Sequence, residues 1–161
     1  MPWLPYTIIG YFHDFLTPNS RVLEFGSGMS TLWYAARAQT VWAVEDYRPW
    51  YEKVQLMVAG QGTQNLNYLF TQEKEAYVSF GESYLEGFDL IVVDGSYRSA
   101  CVLQAEKLLR PGGILYLDNS DMDVQPEGGD MRVAESYLRD LAKTWKTTPV
   151  ETTALYRGSF L

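Results

Sequence analysis

Glu24, Gly26, Ser27, Gly28, Ser30 and Thr31 crowd into one short run, Val22-Leu23-Glu24-Phe25-Gly26-Ser27-Gly28-Met29-Ser30-Thr31. Their types suit the binding of a nucleotide-like ligand. Glycines let the backbone approach a ligand where a Cβ would collide. Hydroxyls favoured at helix starts leave N–H groups aimed at the same point. A second apolar run, Val41-Trp42-Ala43-Val44, ends in Glu45 and Asp46. A carboxylate placed there can accept both hydroxyls of a ribose. Glu24 discriminates between two ligand classes, because a carboxylate ahead of the glycine turn repels a pyrophosphate and attracts an ammonium group. The third glycine of G-x-G-x-x-G is also missing, since Ser30 and Thr31 follow Gly28. The run therefore favours S-adenosylmethionine, with its ammonium and sulfonium, over NAD, which presents phosphates.

Asp94, Asp118 and Asn119 form a second set, each following an apolar run, and Tyr97 and Arg98 come just after Asp94. Asp94 and Asp118 are candidate bases for an acceptor that must lose a proton. Tyr97 joins them as a catalytic candidate. The only histidine, His13, sits far from these motifs and is read as structural, and Cys101 lies among apolar neighbours as a core cysteine would. No Cys/His cluster offers a zinc site and no nucleophile elbow accompanies the histidine.

The elements that must position these residues alternate. Apolar spacing predicts helices over 5–17, 30–38, 50–60, 99–109 and 130–144, with a short one near 76–80 in an otherwise patternless 71–87 stretch. Asp46 is the expected N-cap of the third helix, entered at Pro49. Strands are expected over 21–25, 40–44, 65–70, 88–93 and 114–117, with 150–156 closing the sheet. Phe88-Asp89-Leu90-Ile91-Val92-Val93 is nearly all apolar, as a strand buried on both faces should be. Arg110-Pro111-Gly112-Gly113 is expected to stop the fifth helix. This order predicts a doubly wound α/β fold, a Rossmann-like sheet that is mostly parallel with an antiparallel closing strand and helices on both faces. Right-handed crossovers then bring Gly26, Glu45, Asp94 and Asp118 to one rim, where such sheets bind ligands.

At 161 residues with a formal charge of −7, the chain reads as one domain, 1–161, with 1–20 as an N-terminal helix able to act as a lid. The acidic balance argues against a nucleic-acid partner, which needs a basic surface. Apolar runs are strand-sized, so no membrane span is expected. Met1-Pro2-Trp3-Leu4-Pro5 lacks the basic start of a secretory signal, and a single cysteine fits a reducing compartment, so a cytoplasmic setting is expected.

Four pieces together resemble the class I S-adenosylmethionine-dependent methyltransferases: Leu23-Glu24-Phe25-Gly26-Ser27-Gly28, Ala43-Val44-Glu45, Phe88 to Gly95, and Leu108-Leu109-Arg110-Pro111-Gly112-Gly113-Ile114-Leu115. They span residues 21 to about 120 in the family's order. The resemblance implies that Gly26 and Gly28 approach the methionine part of the cofactor, with Ser27, Ser30 and Thr31 beside them. It implies that Glu45 and Asp46 serve the ribose side, that Glu24 orients the amino group, and that Asp94 faces the cofactor. Asp94 with Leu117-Asp118-Asn119-Ser120 is also similar to the catechol and caffeoyl-CoA type O-methyltransferases, which implies Mg²⁺ or another divalent cation held by Asp94, Asp118 and Asn119. That subgroup carries a lysine where Tyr97 stands here.

The expected activity is methyl transfer from S-adenosylmethionine to a small-molecule acceptor, at oxygen, with a homo-oligomer compatible with the sequence. Two other readings remain open at this level. One is a non-catalytic S-adenosylmethionine-binding partner subunit, and the other is an NAD-dependent oxidoreductase.

Overall fold

A computed structural model describes residues 2–119, 133–134, 136–138, 146–148 and 158–160. Five parallel strands form the body of the sheet: β1 (Arg21–Phe25), β2 (Thr40–Glu45), β3 (Leu66–Phe70), β4 (Phe88–Val93) and β5 (Leu109–Asp118). Two short pieces, β6 (Lys146–Thr148) and β7 (Gly158–Phe160), extend it in the order β3-β2-β1-β4-β5-β7-β6, with β7 antiparallel to both β5 and β6. The closing strand expected over 150–156 lies outside the described residues.

Helices α1 (Tyr6–Phe15), α2 (Met29–Ala35), α3 (Arg48–Gln61), α4 (Lys74–Val78) and α5 (Arg98–Leu108) cover the sheet. Side chains alternate across it because successive Cβ atoms of a strand point to opposite faces. Val22, Leu90, Val92, Ile114 and Tyr116 join Ile8, Phe12 and Tyr34 in one buried layer. Leu23, Phe25, Ile91, Val93, Leu115 and Leu117 join Tyr77, Cys101 and Val102 in the other. The apolar run of β4 is thus two interleaved stripes, each with its own helical cover.

The N-terminal helix is packed into the fold: α1 buries Ile8 and Phe12, and the Phe12 ring meets Tyr116 edge-on at 5.4 Å between centroids. Two sequence expectations change. Arg110-Pro111-Gly112-Gly113 does not separate helix from strand but lies inside β5, where Phe88 pairs with Leu109 and Leu90 with Ile114. The surplus residues form a bulge that Gly112 permits with a φ of 80°. Asp46 is not an N-cap; Tyr47 holds that position without a side-chain hydrogen bond, because Glu45 takes over the neighbouring N–H groups.

The patternless 71–87 stretch owes its order to tertiary contact. Tyr77 of α4 is fully buried, and Phe80 and Tyr84 pack on Trp42 with centroids 5.3 and 5.4 Å away. Since α1 is core, Phe12→Ala should lower the unfolding free energy by about 3–5 kcal/mol in denaturant titrations.

Candidate functional site

Strand order reverses between β1 and β4, and the two carboxyl ends meet there. The N–H groups of Asp94 and Gly95 both donate to the Phe25 carbonyl, at 2.9 and 2.7 Å, and that of Gly26 donates to Val44 at 3.0 Å. Gly26 adopts a φ of 95°, and a Cβ on it would lie 2.5 Å from the Gly95 nitrogen. A Cβ on Gly95 would lie 2.7 Å from the Gly26 Cα and collide with the Tyr77 hydroxyl. Both glycines are thus required by packing. Gly28 is different. Its φ of −177° suits any residue, and a Cβ would find nothing nearer than the Ser30 Oγ at 3.6 Å.

Gly28 instead lines a cavity of roughly 210 Å³ with Ser27, Met29, Ser30, Trp3, Trp50 and Asp94. Trp50 is anchored by its indole N–H, which donates to the Ser27 carbonyl at 2.6 Å, and Lys53 Nζ sits 4.5 Å from its ring centroid. Trp3 leans on Trp50 with centroids 5.8 Å apart while remaining 70% exposed. Of residues 1–20, Trp3 is the one that lines this cavity.

The glycine turn clasps two carboxylates. Glu24 is 1% exposed, and its two oxygens accept hydrogen bonds from the hydroxyls of Ser30 and Thr31. Burial pushes its carboxyl up to about 7, an effect the two hydroxyls oppose and the nearby Glu45 charge adds to. Glu45 Oε2 accepts the Ser27 N–H at 3.0 Å and the Ser27 hydroxyl at 2.8 Å. Its Oε1 accepts the N–H groups of Asp46 and Tyr47 at 3.1 and 2.9 Å. Tyr68 extends this network, its hydroxyl 2.6 Å from Ser27 Oγ and its ring 4.4 Å from that of Tyr51. Sequence reasoning passed over Tyr68, whose place in an alternating strand gives no sign of a polar role.

Asp94 and Asp118 also converge. Their carboxyl groups lie close enough for the proton affinity of each to depend on the other. Both are held above the usual carboxylate range, chiefly by burial, with the Asp118 charge raising Asp94 further and Arg98 opposing it. Asp94 keeps 38% of its side chain exposed toward the cavity, where water moderates the effect, whereas Asp118 is 2% exposed. Asp118 also accepts the Tyr116 hydroxyl at 2.6 Å.

This geometry does not fit the expected cation. The Arg98 guanidinium already bridges the two strand ends, donating to the carbonyls of Asp94 and Asp118 and contacting Asp94 Oδ1 at 3.2 Å. Asn119 is buried with its Nδ2 unpartnered. Among the described residues, no group of three or more His, Cys, Asp or Glu side chains is arranged for a metal. Tyr97 does not line the cavity either. It adopts a φ of 52° and turns its ring onto Tyr77 at 5.6 Å.

No family model matches the sequence, and no curated protein is similar to it in sequence. Solved structures do share the fold. An rRNA methylase from Streptococcus thermophilus matches with a TM-score of 0.66 at 14% identity, over 96% of this chain and 93% of its own. A precorrin-6y C5,15-methyltransferase from Geobacter metallireducens matches with a TM-score of 0.70 at 10% identity, over 99% and 90%. The 16S rRNA N2 G1207 methyltransferase of T. thermophilus, in complex with AdoMet and guanosine, matches at 0.64 and 21% identity, over 96% of this chain and 41% of its own. The chain shares the Rossmann-like fold of these methyltransferases. Two of these proteins are named for rRNA. Among the described residues, no helix is long and apolar enough to cross a membrane.

Glu24 gives this site a pH signature. Its carboxyl binds a proton more tightly in the folded chain, near 7, than at its ordinary value of 4.5. Its contribution to stability is therefore largest below the ordinary value and is lost as pH rises through about 7. The change is about 3 kcal/mol at most. Unfolding free energies measured between acidic and mildly alkaline pH should decline in the wild type, and Glu24→Gln should flatten that part of the slope.

Proposed function

We propose that the chain is a methyltransferase that binds S-adenosylmethionine in the rim cavity and methylates a small-molecule acceptor at oxygen. The observation that carries this is Gly28, which lacks a side chain where only a ligand would need the room. When bound, the cofactor supplies an electrophilic methyl group on sulfur. Around it, the Gly26–Ser30 turn offers the floor, Glu24 stands buried behind Ser30 and acts on an ammonium group through the Ser30 hydroxyl, and Glu45 lies on the ribose side. Asp46 flanks Glu45 through its backbone. Transfer to an acceptor oxygen would be an in-line displacement in which the sulfur is the leaving group and keeps the bonding electrons. Alignment is the main demand on such a displacement. The acceptor's proton passes to the Asp94 carboxylate, the titratable group lining the cavity. Asp118 is too buried to touch the acceptor and acts through Asp94. No step is assigned to a metal.

Gly28→Ala should leave the folded structure and melting temperature nearly unchanged while weakening S-adenosylhomocysteine binding by about tenfold or more, which is about 1.4 kcal/mol or above in titration calorimetry. Unchanged affinity would remove the cavity from the cofactor site.

The two rRNA methylases that share the fold favour a nucleobase acceptor as the second reading. The net charge of −7 opposes it, since RNA binding draws on cationic phosphate contacts. Incubation with methyl-labelled S-adenosylmethionine and a cell extract should place label in the small-molecule fraction. Label in RNA would establish the second reading. Label in neither fraction, despite tight cofactor binding, would mark a non-catalytic subunit.

A further inference from the structure

Arg98 makes four hydrogen bonds, all at the rim. Its Nε donates to the Gly95 carbonyl at 2.9 Å and its Nη1 to the Asp118 carbonyl at 2.6 Å. Its Nη2 donates to the Asp94 carbonyl at 2.6 Å and to Asp94 Oδ1 at 3.2 Å. The β4–β5 pairing ends at Val93 and Leu117, so these carbonyls lie just past the last rung of the ladder. The planar fork spans both strand ends, which a single ammonium cannot do. A second observation points the same way. Each strand leaves the rim through a non-glycine residue in the left-handed region, Tyr97 with φ 52° and Asn119 with φ 51°. Such conformations persist where the surroundings over-determine them. Here Tyr97 turns the chain so that the next side chain folds back over the strand ends.

We propose that Arg98 is a positioning residue for this site: by clasping the carbonyls of Asp94, Gly95 and Asp118 it fixes Asp94 at the cavity wall and holds Gly95 against Gly26, so that the glycine turn keeps its cofactor-binding shape. The guanidinium touches neither the cavity floor nor the reacting atoms. Its effect travels through the Gly95–Gly26 contact and the Asp94 carboxyl. The proposal uses the cofactor reading for one of its two readouts only.

The test compares wild type, Arg98→Lys, Arg98→Ala with and without added guanidinium ion at sub-denaturing concentration, and Arg110→Lys. Arg110 pairs with Asp89 near the other end of the sheet and serves as the stability control. Glycine amide signals of Gly26 and Gly95 in ¹⁵N–¹H spectra and affinity for S-adenosylhomocysteine are measured beside the melting temperature. Arg98→Lys should fold, shift both glycine signals and bind about tenfold more weakly, the usual loss of a charge-assisted hydrogen bond. Guanidinium should restore both readouts in Arg98→Ala, while Arg110→Lys should move neither. Unmoved glycine signals in Arg98→Lys would overturn the proposal, as would equal effects in Arg110→Lys. If Arg98→Ala fails to fold, the lysine variant still decides. Failure of the wild type to bind S-adenosylhomocysteine would overturn the methyltransferase reading instead, and the glycine signals would still judge Arg98.

Discussion

The contact between Gly26 and Gly95 governs the geometry of the rim. Two parallel strands end side by side at the point where the sheet reverses its winding, and their backbones approach more closely than any Cβ would allow. That closeness lets a single carbonyl, of Phe25, receive two N–H groups from the neighbouring strand's exit. It also sets Ser27 over Glu45 and brings Asp94 to the same cavity as Gly28. The Tyr77 ring closes the contact from the helical side, which ties the short α4 to the site although none of its residues lines the cavity.

Charge at the rim is managed by compact local devices. Four acidic side chains, Glu24, Glu45, Asp94 and Asp118, converge on a region with one arginine between them. Hydroxyls from the glycine turn, backbone N–H groups, a tyrosine and the arginine's guanidinium distribute the burden. Unpaired buried charge is costly, and neutralising or hydrogen-bonding each carboxyl reduces that cost. The acidic composition of the chain is therefore partly internal, built into the site and not only displayed at the surface.

Much of the parallel sheet was legible in the sequence because each strand is a short apolar run ending in a residue of distinct type. β1 and β4 match expectation residue for residue. β5 did not, because proline and paired glycines read as a stop when they instead build a bulge within the strand. α4 was legible only as a short helix near 76–80, because its place depends on Tyr77 packing against Gly95, which no local period can encode. At the site, the glycine turn and its carboxylates could be read because their chemistry depends on residue type. The roles of Asp118 and Arg98 depend on burial and on direction, and a sequence reports neither. Aspartates that look like metal ligands in a string lie beside a guanidinium that spans the strand ends.

The four hydrogen bonds already accepted by Glu45 have a thermodynamic consequence. A carboxylate offers about four acceptor positions, so a diol arriving there must displace a resident donor. The Ser27 hydroxyl is the most easily released, since Tyr68 stands ready as its other partner. Recognition at this corner is then an exchange of partners with little net gain in hydrogen bonding. Affinity would have to come from apolar surface removed from water elsewhere in the cavity, and a heat-capacity decrease on binding would be its mark. The corner would register the shape of the sugar more than reward its presence.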